Sequence, residues 1–518
     1  MYPLLTAVQM KACDDYTISV RGVASRTLME RAAHAAMRVL LTHPAFSISK
    51  ESELLILCGG GNNGGDGFAM ARFLLQELTN VSVAYAGALR DGLPDKSRMS
   101  EECARQYQLW EAAGGVTHTE LPTLGGQIIV DALLGIGLQQ APRAPFDLWI
   151  RAVNASDRPV FAVDIPSGVN ADDGSVPTDA MRATVTATMA APKRGLLLYP
   201  GADYAGEVIV CDIGIDTEGT VVDTALLGAA DLSLLPHRPP YSNKGTFGRV
   251  AVIGGCPGMC GAAYLAGLSA YRTGAGLVEL VTWEENRIPL QTLLPEAVMT
   301  ILQHESSAIE AQIRALLARA DAVVLGCGLG QSDAARDIVA HVLAQCNKPL
   351  VVDADALNLI SANTTLQERL SARTATTILT PHLGEAARLM QQDIPTIVKD
   401  LFTSAAAISA RYGAICVLKD TRTVISGSSH WYVQNCGNSG MAKGGSGDCL
   451  AGILGALLAA QPHRALITEN PTLLAALGVL LHACAGDAAA AAHGQHGMLA
   501  RDLADAIGEV LRGWEFAK

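Results

Sequence analysis

The chain carries little charge for its length and few of the signals of a secreted, membrane-spanning or nucleic-acid-binding protein. Of 518 residues, 17% are charged and 5% aromatic, against 49% apolar. Such a composition excludes a disordered chain and leaves ample core for two or three domains. The charge present is acidic, 38 Lys and Arg against 50 Asp and Glu, for a net charge of −12. Without a basic field, nucleic acid and anionic membrane are excluded as general partners. Anionic small ligands must then be held by backbone N–H groups and single cations. No C-x-x-C occurs among the 12 cysteines, and Cys256 and Cys260 form the one close pair. That argues against a zinc cluster or a disulfide framework and for reduced thiols in a cytoplasmic protein. No basic stretch precedes Pro3 to Met10, so no signal peptide is expected. The most apolar tract, Thr472 to Gly486, is broken by His482. It falls short of the about 20 residues of a membrane span and reads as a core helix.

What is abundant is glycine beside carboxylate. Gly437 to Asp448 holds five glycines and Lys443 before the acid, and an apolar run, Leu450 to Ala460, follows it. Glycines let backbone N–H groups crowd toward a ligand, and a helix starting there adds unpaired donors. The turn suits a phosphate. Asp448 stands at its mouth, placed to take a proton from a hydroxyl attacking that phosphate. The plainer alternative is an N-cap aspartate after a flexible loop.

Earlier in the chain, residues 24 to 42 have helical spacing. The short strand Glu53 to Cys58 runs into Gly59 to Gly67, helical spacing resumes over Phe68 to Leu78, and Val81 to Ala84 reads as a strand. This order is a βαβ nucleotide-site unit. Gly59, Gly61 and Gly64 match G-x-G-x-x-G, a weak signal alone, and the next strand lacks the ribose-binding acid of a dehydrogenase. The strands ending at Asp131 and Asp164 would bring both acids to the carboxyl edge of the same sheet, where ligands collect in open α/β folds.

Residues 215 to 240 turn acidic and then proline-rich. The chain therefore divides into a domain over 1–220, a linker over 221–240 and a second domain over 241–518. The second half repeats the α/β alternation, with strands from Arg249, Asp321, Lys348, Thr377 and Ala414. Lys419-Asp-Thr-Arg-Thr423 follows a strand and reads as a phosphate contact or a charged hairpin tip. His382 and Glu385 follow another strand end. Asp353 and Asp355 stay open between catalytic, metal-linked and turn roles. Cys449 reads as packed at its helix start rather than reactive.

These motifs carry a resemblance. Gly-Asn-Asn-Gly-Gly-Asp-Gly (61 to 67), Val-Asp-Ala-Leu-Leu-Gly-x-Gly (130 to 137) and Asp-Ile-Pro-Ser-Gly (164 to 168) resemble the NAD(P)H-hydrate epimerase family. Asn-Lys-Gly-x-x-Gly (243 to 248), Gly-x-Gly-Leu-Gly (326 to 330), Thr-Pro-His-x-Gly-Glu (380 to 385) and Gly-Ser-Gly-Asp-Cys-Leu-Ala-Gly (445 to 452) resemble the ADP/ATP-dependent NAD(P)H-hydrate dehydratases. Leu383 stands where Pro is common and Ser446 where Thr is common. The order is that of the fused, bifunctional repair enzymes.

The resemblance implies an N-terminal Rossmann-like three-layer α/β domain and a C-terminal ribokinase-like three-layer α/β domain. It implies substrates that are small molecules: hydrated NADH and NADPH (NADHX and NADPHX), with ADP or ATP and Mg2+ for the second reaction. In the first domain Asn62, Asn63, Gly64, Gly65 and Asp66, the loop Gly135, Ile136, Gly137, Leu138, Gln139, Gln140 and Ala141, and Asp164 would hold the dinucleotide. Asp164 would be the acid/base, and Asn63, Asp131 and Ser167 the oxygen ligands of K+. In the second domain Ala262, Gly330, His382 and Asp448 would contact the hydrate, with Asp448 as base. Lys419, Asp420, Thr421, Arg422, Thr423 and Gly447 would hold the nucleotide. A homo-oligomer in the cytoplasm is expected. The rival is a ribokinase-type small-molecule kinase with a regulatory dinucleotide-binding N-domain, and a non-enzymatic rival is a nucleotide sensor that recruits partners.

Overall fold

Short aliphatic runs closed by Gly or Asp alternate with helices, and in the computed structural model they assemble two separate parallel sheets. The described residues are 1–78, 80–303, 305–427 and 430–515. The chain divides into two units, Tyr2–Val222 and a second one built from Asp223–Lys518.

The first sheet runs, from one edge, Val116–His118, Asn80–Tyr85, Glu53–Cys58, Ile128–Ala132, Val160–Val163, Val185–Met189 and Glu207–Cys211. Every pairing is parallel. The chain winds outward in opposite directions from Glu53–Cys58 and Ile128–Ala132. The crevice beyond their carboxyl ends is the switch point where such sheets bind ligands. Helix Asn62–Leu74 starts at once after the glycine turn, earlier than the spacing from Phe68 predicts. The reason is contact rather than flexibility. A Cβ on Gly64 would lie 1.9 Å from the Gly59 carbonyl oxygen, and one on Gly67 2.7 Å from Cys58 Sγ. The glycines let the helix seat directly on the strands.

Within the second unit the order is Thr224–Leu227, Trp431–Gln434, Val424–Ser426, Ile415–Leu418, Thr377–Leu379, Leu350–Val352, Ala322–Leu325, Arg249–Ile253, Leu277–Thr282 and Val298–Ile301. Only Val424–Ser426 runs antiparallel to its neighbours. The switch point lies between Ala322–Leu325 and Arg249–Ile253. One expectation fails here: 221–240 is not a linker. Thr224–Leu227 pairs parallel with Trp431–Gln434, and Leu227, Leu232 and Leu235 join the core. A four-residue apolar strand was hidden by the acidic and proline-rich residues around it.

Helix Ser446–Ala459 is buried at every position except Gly447 and Asp448. Gly452 allows this, because a Cβ there would lie 2.1 Å from the Ala266 carbonyl oxygen of helix Cys260–Thr273. Helix Pro471–Gly497 is longer than its apolar tract suggests. By length and composition it could cross a membrane, yet 72% of its most apolar window is buried inside the fold. It is a core helix. Two substitutions follow from this packing. Gly452→Ala is expected to cost about 3 kcal/mol through overpacking. Gly508→Ala, in the exposed part of helix Ala500–Glu515 with no atom within 4 Å, should gain about 1 kcal/mol. Thermal melting of the two variants checks both signs.

Candidate active sites

In the first unit the switch-point crevice opens into a cavity of about 1070 Å3. Asp164 ends strand Val160–Val163 in the left-handed region, at φ 68°. Its Oδ1 accepts the Met189 N–H at 3.0 Å and the ammonium of Lys193. Lys193 is fully buried and also donates to Thr188 Oγ1 at 2.9 Å and the Met189 carbonyl at 3.0 Å. A non-glycine residue held at positive φ and a desolvated ion pair are both costly, and both mark functional positions. Asp14, from helix Ala7–Ser19, lines the same cavity. Burial, then Asp164, pushes its carboxyl up to about 6. Burial, then Asp164 and Asp14, pushes Asp66 well above the ordinary carboxylate range.

Behind the cavity wall, Asp131 accepts the Ser167 N–H at 2.8 Å, the Ser167 hydroxyl at 2.6 Å and the Leu133 N–H at 3.2 Å. Burial still lifts its carboxyl to about 6. Asn63 donates through Nδ2 to the Leu134 carbonyl at 2.9 Å, and its buried Oδ1 has no partner among the described residues. Asn62, Asn63, Asp66, Gly135, Ile136, Gly137, Leu138, Gln139, Gln140 and Asp164 form part of the wall. Gly64, Gly65 and Ala141, expected to line it, do not. Gly64 closes on Gly59, and a Cβ on Gly65 would strike Met29 at 2.8 Å. Lys193 is not distinguished in sequence, where it stands as one basic residue of Pro-Lys-Arg. Its signal was its place four residues past a strand end.

The second unit gathers a comparable cluster. Asp448 lies in the first turn of helix Ser446–Ala459, whose preceding Gly445 has φ 98°. Ligand atoms of Asp448, Asp353 and Cys327 all lie within 4.8 Å of one another. Burial, then Asp353, raises the Asp448 carboxyl to about 6. Burial pushes the Cys327 thiol far up, so it keeps its proton and is a poor partner for a hard cation. Lys419 Nζ donates to Asp353 Oδ1 at 2.9 Å and lies 3.2 Å from where a Gly447 Cβ would be. Its pKa rises because Asp353 and Glu385 outweigh the opposing effect of burial. Lys419 therefore serves the Asp448 cluster, while Asp420, Thr421, Arg422 and Thr423 form the turn of an antiparallel hairpin. Arg422 Nε there is buried without a partner among the described residues.

His382 pairs in a β-bridge with Lys419 and caps helix Leu383–Met390, its Nδ1 accepting the Gly384 N–H at 3.0 Å. Burial and Lys419 lower its pKa, and burial raises Glu385 to about 7. Ala262 packs against Gly328, and the Gly330 N–H donates to Asp355 Oδ2 at 2.8 Å. Ala262, Gly330 and Asp448 thus gather at the Gly326 to Gly330 loop, His382 lies beside Lys419, and Asp353, left open by sequence, links Lys419 to the Asp448 cluster.

Comparison with known proteins assigns a family to each half of the chain. The family models matched are the YjeF-related protein N-terminus over residues 25–195 and NAD(P)H-hydrate dehydratase over 250–509. The bifunctional NAD(P)H-hydrate repair enzyme Nnr of Coxiella burnetii is 37% identical, across 93% of this chain and 94% of that one. The chain belongs to the bifunctional NAD(P)H-hydrate repair enzyme family. Among solved structures, a ribokinase-like superfamily protein from Enterococcus faecalis shares 29% identity over 56% of this chain and 96% of its own, with a TM-score of 0.48. The ADP/ATP-dependent NAD(P)H-hydrate dehydratase from Bacillus subtilis, co-crystallised with ATP/Mg2+, shares 28% over 55% and 97%, with a TM-score of 0.47. The α/β class expected for each half of this repair-enzyme family member is the one observed.

The Lys193–Asp164 pair yields a stability test. Lys193→Met leaves a buried carboxylate unpaired and should cost about 3 kcal/mol or more. Adding Asp164→Leu should recover most of that loss, read as the unfolding midpoint in urea.

Proposed function

We propose that this chain repairs hydrated nicotinamide dinucleotides in two steps. The first unit interconverts the R and S hydrates of NADH and NADPH. The second dehydrates the S form at the expense of ADP or ATP. The observation that carries the reading is the end-to-end match to a bifunctional repair enzyme, with an acid-bearing switch-point site in each unit.

In the first unit, Asp164 is the acid/base, and Lys193 pairs with it and orients it through Oδ1. Asn62, Asp66 and the Gly135 to Gln140 loop hold the dinucleotide. Asn63, Asp131 and Ser167 hold K+, and the orphaned Asn63 Oδ1 together with an all-oxygen donor set supports that choice. The cation offsets substrate phosphate charge in a cavity rich in aspartate.

For the second unit, Asp448 takes the proton of the hydrate's C6 hydroxyl as that oxygen attacks the terminal phosphoryl group. The nucleotide leaves one phosphate shorter. Loss of phosphate from C6, driven by the ring nitrogen lone pair, and of a proton from C5 restores the dihydronicotinamide. Phosphate leaves far more readily than hydroxide, which is why a nucleotide is consumed. Gly447 and the backbone N–H groups at its helix start hold the transferred phosphate, and Lys419 to Thr423 hold the rest of the nucleotide. Mg2+ enters with the nucleotide and neutralises its phosphates. Ala262, Gly330 and His382 contact the hydrate. Free thiols throughout and the acidic surface favour a cytoplasmic enzyme without nucleic-acid or membrane partners. A small-molecule kinase would instead accumulate a stable phosphorylated alcohol and regenerate no NADH.

The test is recovery of absorbance near 340 nm from hydrated NADH with ADP or ATP, Mg2+ and K+. Asp448→Asn is expected to abolish recovery from both epimers, and Asp164→Asn to spare S and stall on R. Near-normal rates in Asp448→Asn would remove the assigned base. Because Asp448 acts ionised and its carboxyl titrates at about 6, dehydration of the S form should fall as pH drops below that value. An unperturbed carboxylate would hold the rate to about pH 4.

A further inference from the structure

The first-unit cavity contains more carboxyls than its mechanism has used. Helix Ala7–Ser19 lays Lys11, Asp14, Asp15 and Ile18 along one face of the cavity, at helical spacing. That helix is fixed at both ends. The Ala7 N–H donates to Asp172 Oδ1 at 2.6 Å, and Thr17 Oγ1 accepts the Asp216 N–H at 2.9 Å. Asp14 is therefore held in place against the same space as Asp164 and Asp66. Lys193 is committed to Asp164, so one buried ammonium serves three carboxyls. Ionising all three in a desolvated space would leave uncompensated negative charge, and burial, then that charge, raises the pKa of the two that lack a cation. Of these, Asp66 lies toward the buried thiols Cys58 and Cys103, whose pKa values are raised by burial first and by Asp66 in addition. Asp14 stands on a wall contributed by another element than the strand end that carries Asp164.

We propose that Asp14 is the second catalytic carboxyl of this site, the acid that protonates the departing C6 hydroxyl while Asp164 acts as the base on the other face. The assignment rests on the epimerase reading above. The Asp14 carboxyl gives its proton to the C6 hydroxyl oxygen. The C6–O bond breaks, the ring N1 lone pair forms N1=C6, and water departs. Water then adds to C6 from the opposite face, the N1=C6 π pair returns to nitrogen, and Asp164 accepts the proton released. Proton transfer from Asp164 to Asp14 through solvent resets the pair. Two carboxyls on different walls give inversion a proton donor for one face of the ring and an acceptor for the other.

The experiment follows R-to-S conversion of hydrated NADH by chromatography with the full chain, above the spontaneous rate. Asp14→Asn is expected to slow it about 100-fold, the lower end of general acid contributions. Recovery near 340 nm from pure S hydrate should stay within about twofold, which reports on the second unit, and an unchanged thermal melt reports that the first unit is folded. Asp14→Glu, which restores a carboxylic acid, should regain at least a tenth of the rate, as a merely structural role would not require. The charged groups facing Asp14 are Asp164, Lys193, Asp66, Asp15 and Lys11. With Asp14 acting protonated among them, wild-type interconversion should decline as pH rises, and Asp14→Asn should flatten that limb. Interconversion in Asp14→Asn within threefold of wild type, while Asp164→Asn stalls, would overturn the assignment alone. Unimpaired interconversion in Asp164→Asn would instead sink the epimerase reading of the site. Should Asp14→Asn fail to fold, the wild-type profile decides, and absence of the falling limb counts against Asp14.

Discussion

A lysine ammonium set against an aspartate at the carboxyl edge of a parallel sheet organises each unit. Lys193 reaches Asp164 from the loop after the neighbouring strand, and Lys419 reaches Asp353 from two strands away. Removing such charges from water costs several kcal/mol per ion, and attraction repays that only in good geometry. Each pair therefore fixes the loops that carry it. It also sets the field in which other acids titrate: Asp14 and Asp66 around Asp164, Asp448 and Glu385 around Asp353. An acidic chain thus sets one cation beside the clustered acids of each switch point.

The sites exist because helices begin almost in contact with strand ends. Gly64 at a helix start lies against Gly59, Gly254 against Cys327 joins two strand ends, and Gly452 packs one helix on another at Ala266; none leaves room for a Cβ. That closeness brings helix N-termini, with their unpaired N–H groups, to the switch points. The same glycines that read in sequence as flexible turns are largely contact points. Gly445 is one that does need its left-handed conformation, and it turns the chain into helix Ser446–Ala459.

Much of this was legible beforehand. Asp164, His382 and Asp448 each follow a strand or glycine turn and Asp131 is next to last in its strand, and period and punctuation alone put them at the carboxyl ends of the sheets. Less visible was anything dependent on a partner far along the chain. Lys193 reads as surface until Asp164 is seen beside it. Asp14 carries no mark in the sequence until the cavity is formed. Asp353 is ambiguous until Lys419 arrives, 66 residues on. The strand Thr224–Leu227 could not be told from a linker, because its pairing partner begins more than 200 residues later.

By itself, then, the order of residues determined the alternation of strands and helices, the glycine turns, the family and the acids that end the strands. These follow from local propensity, periodicity and motif, which need no knowledge of distant contacts. The folded chain alone decided which carboxyls share a cavity, which lysine neutralises which acid, and which protons are retained. Those outcomes depend on desolvation and on distances of a few ångströms between residues remote in sequence, and such distances come into being only when the sheets close.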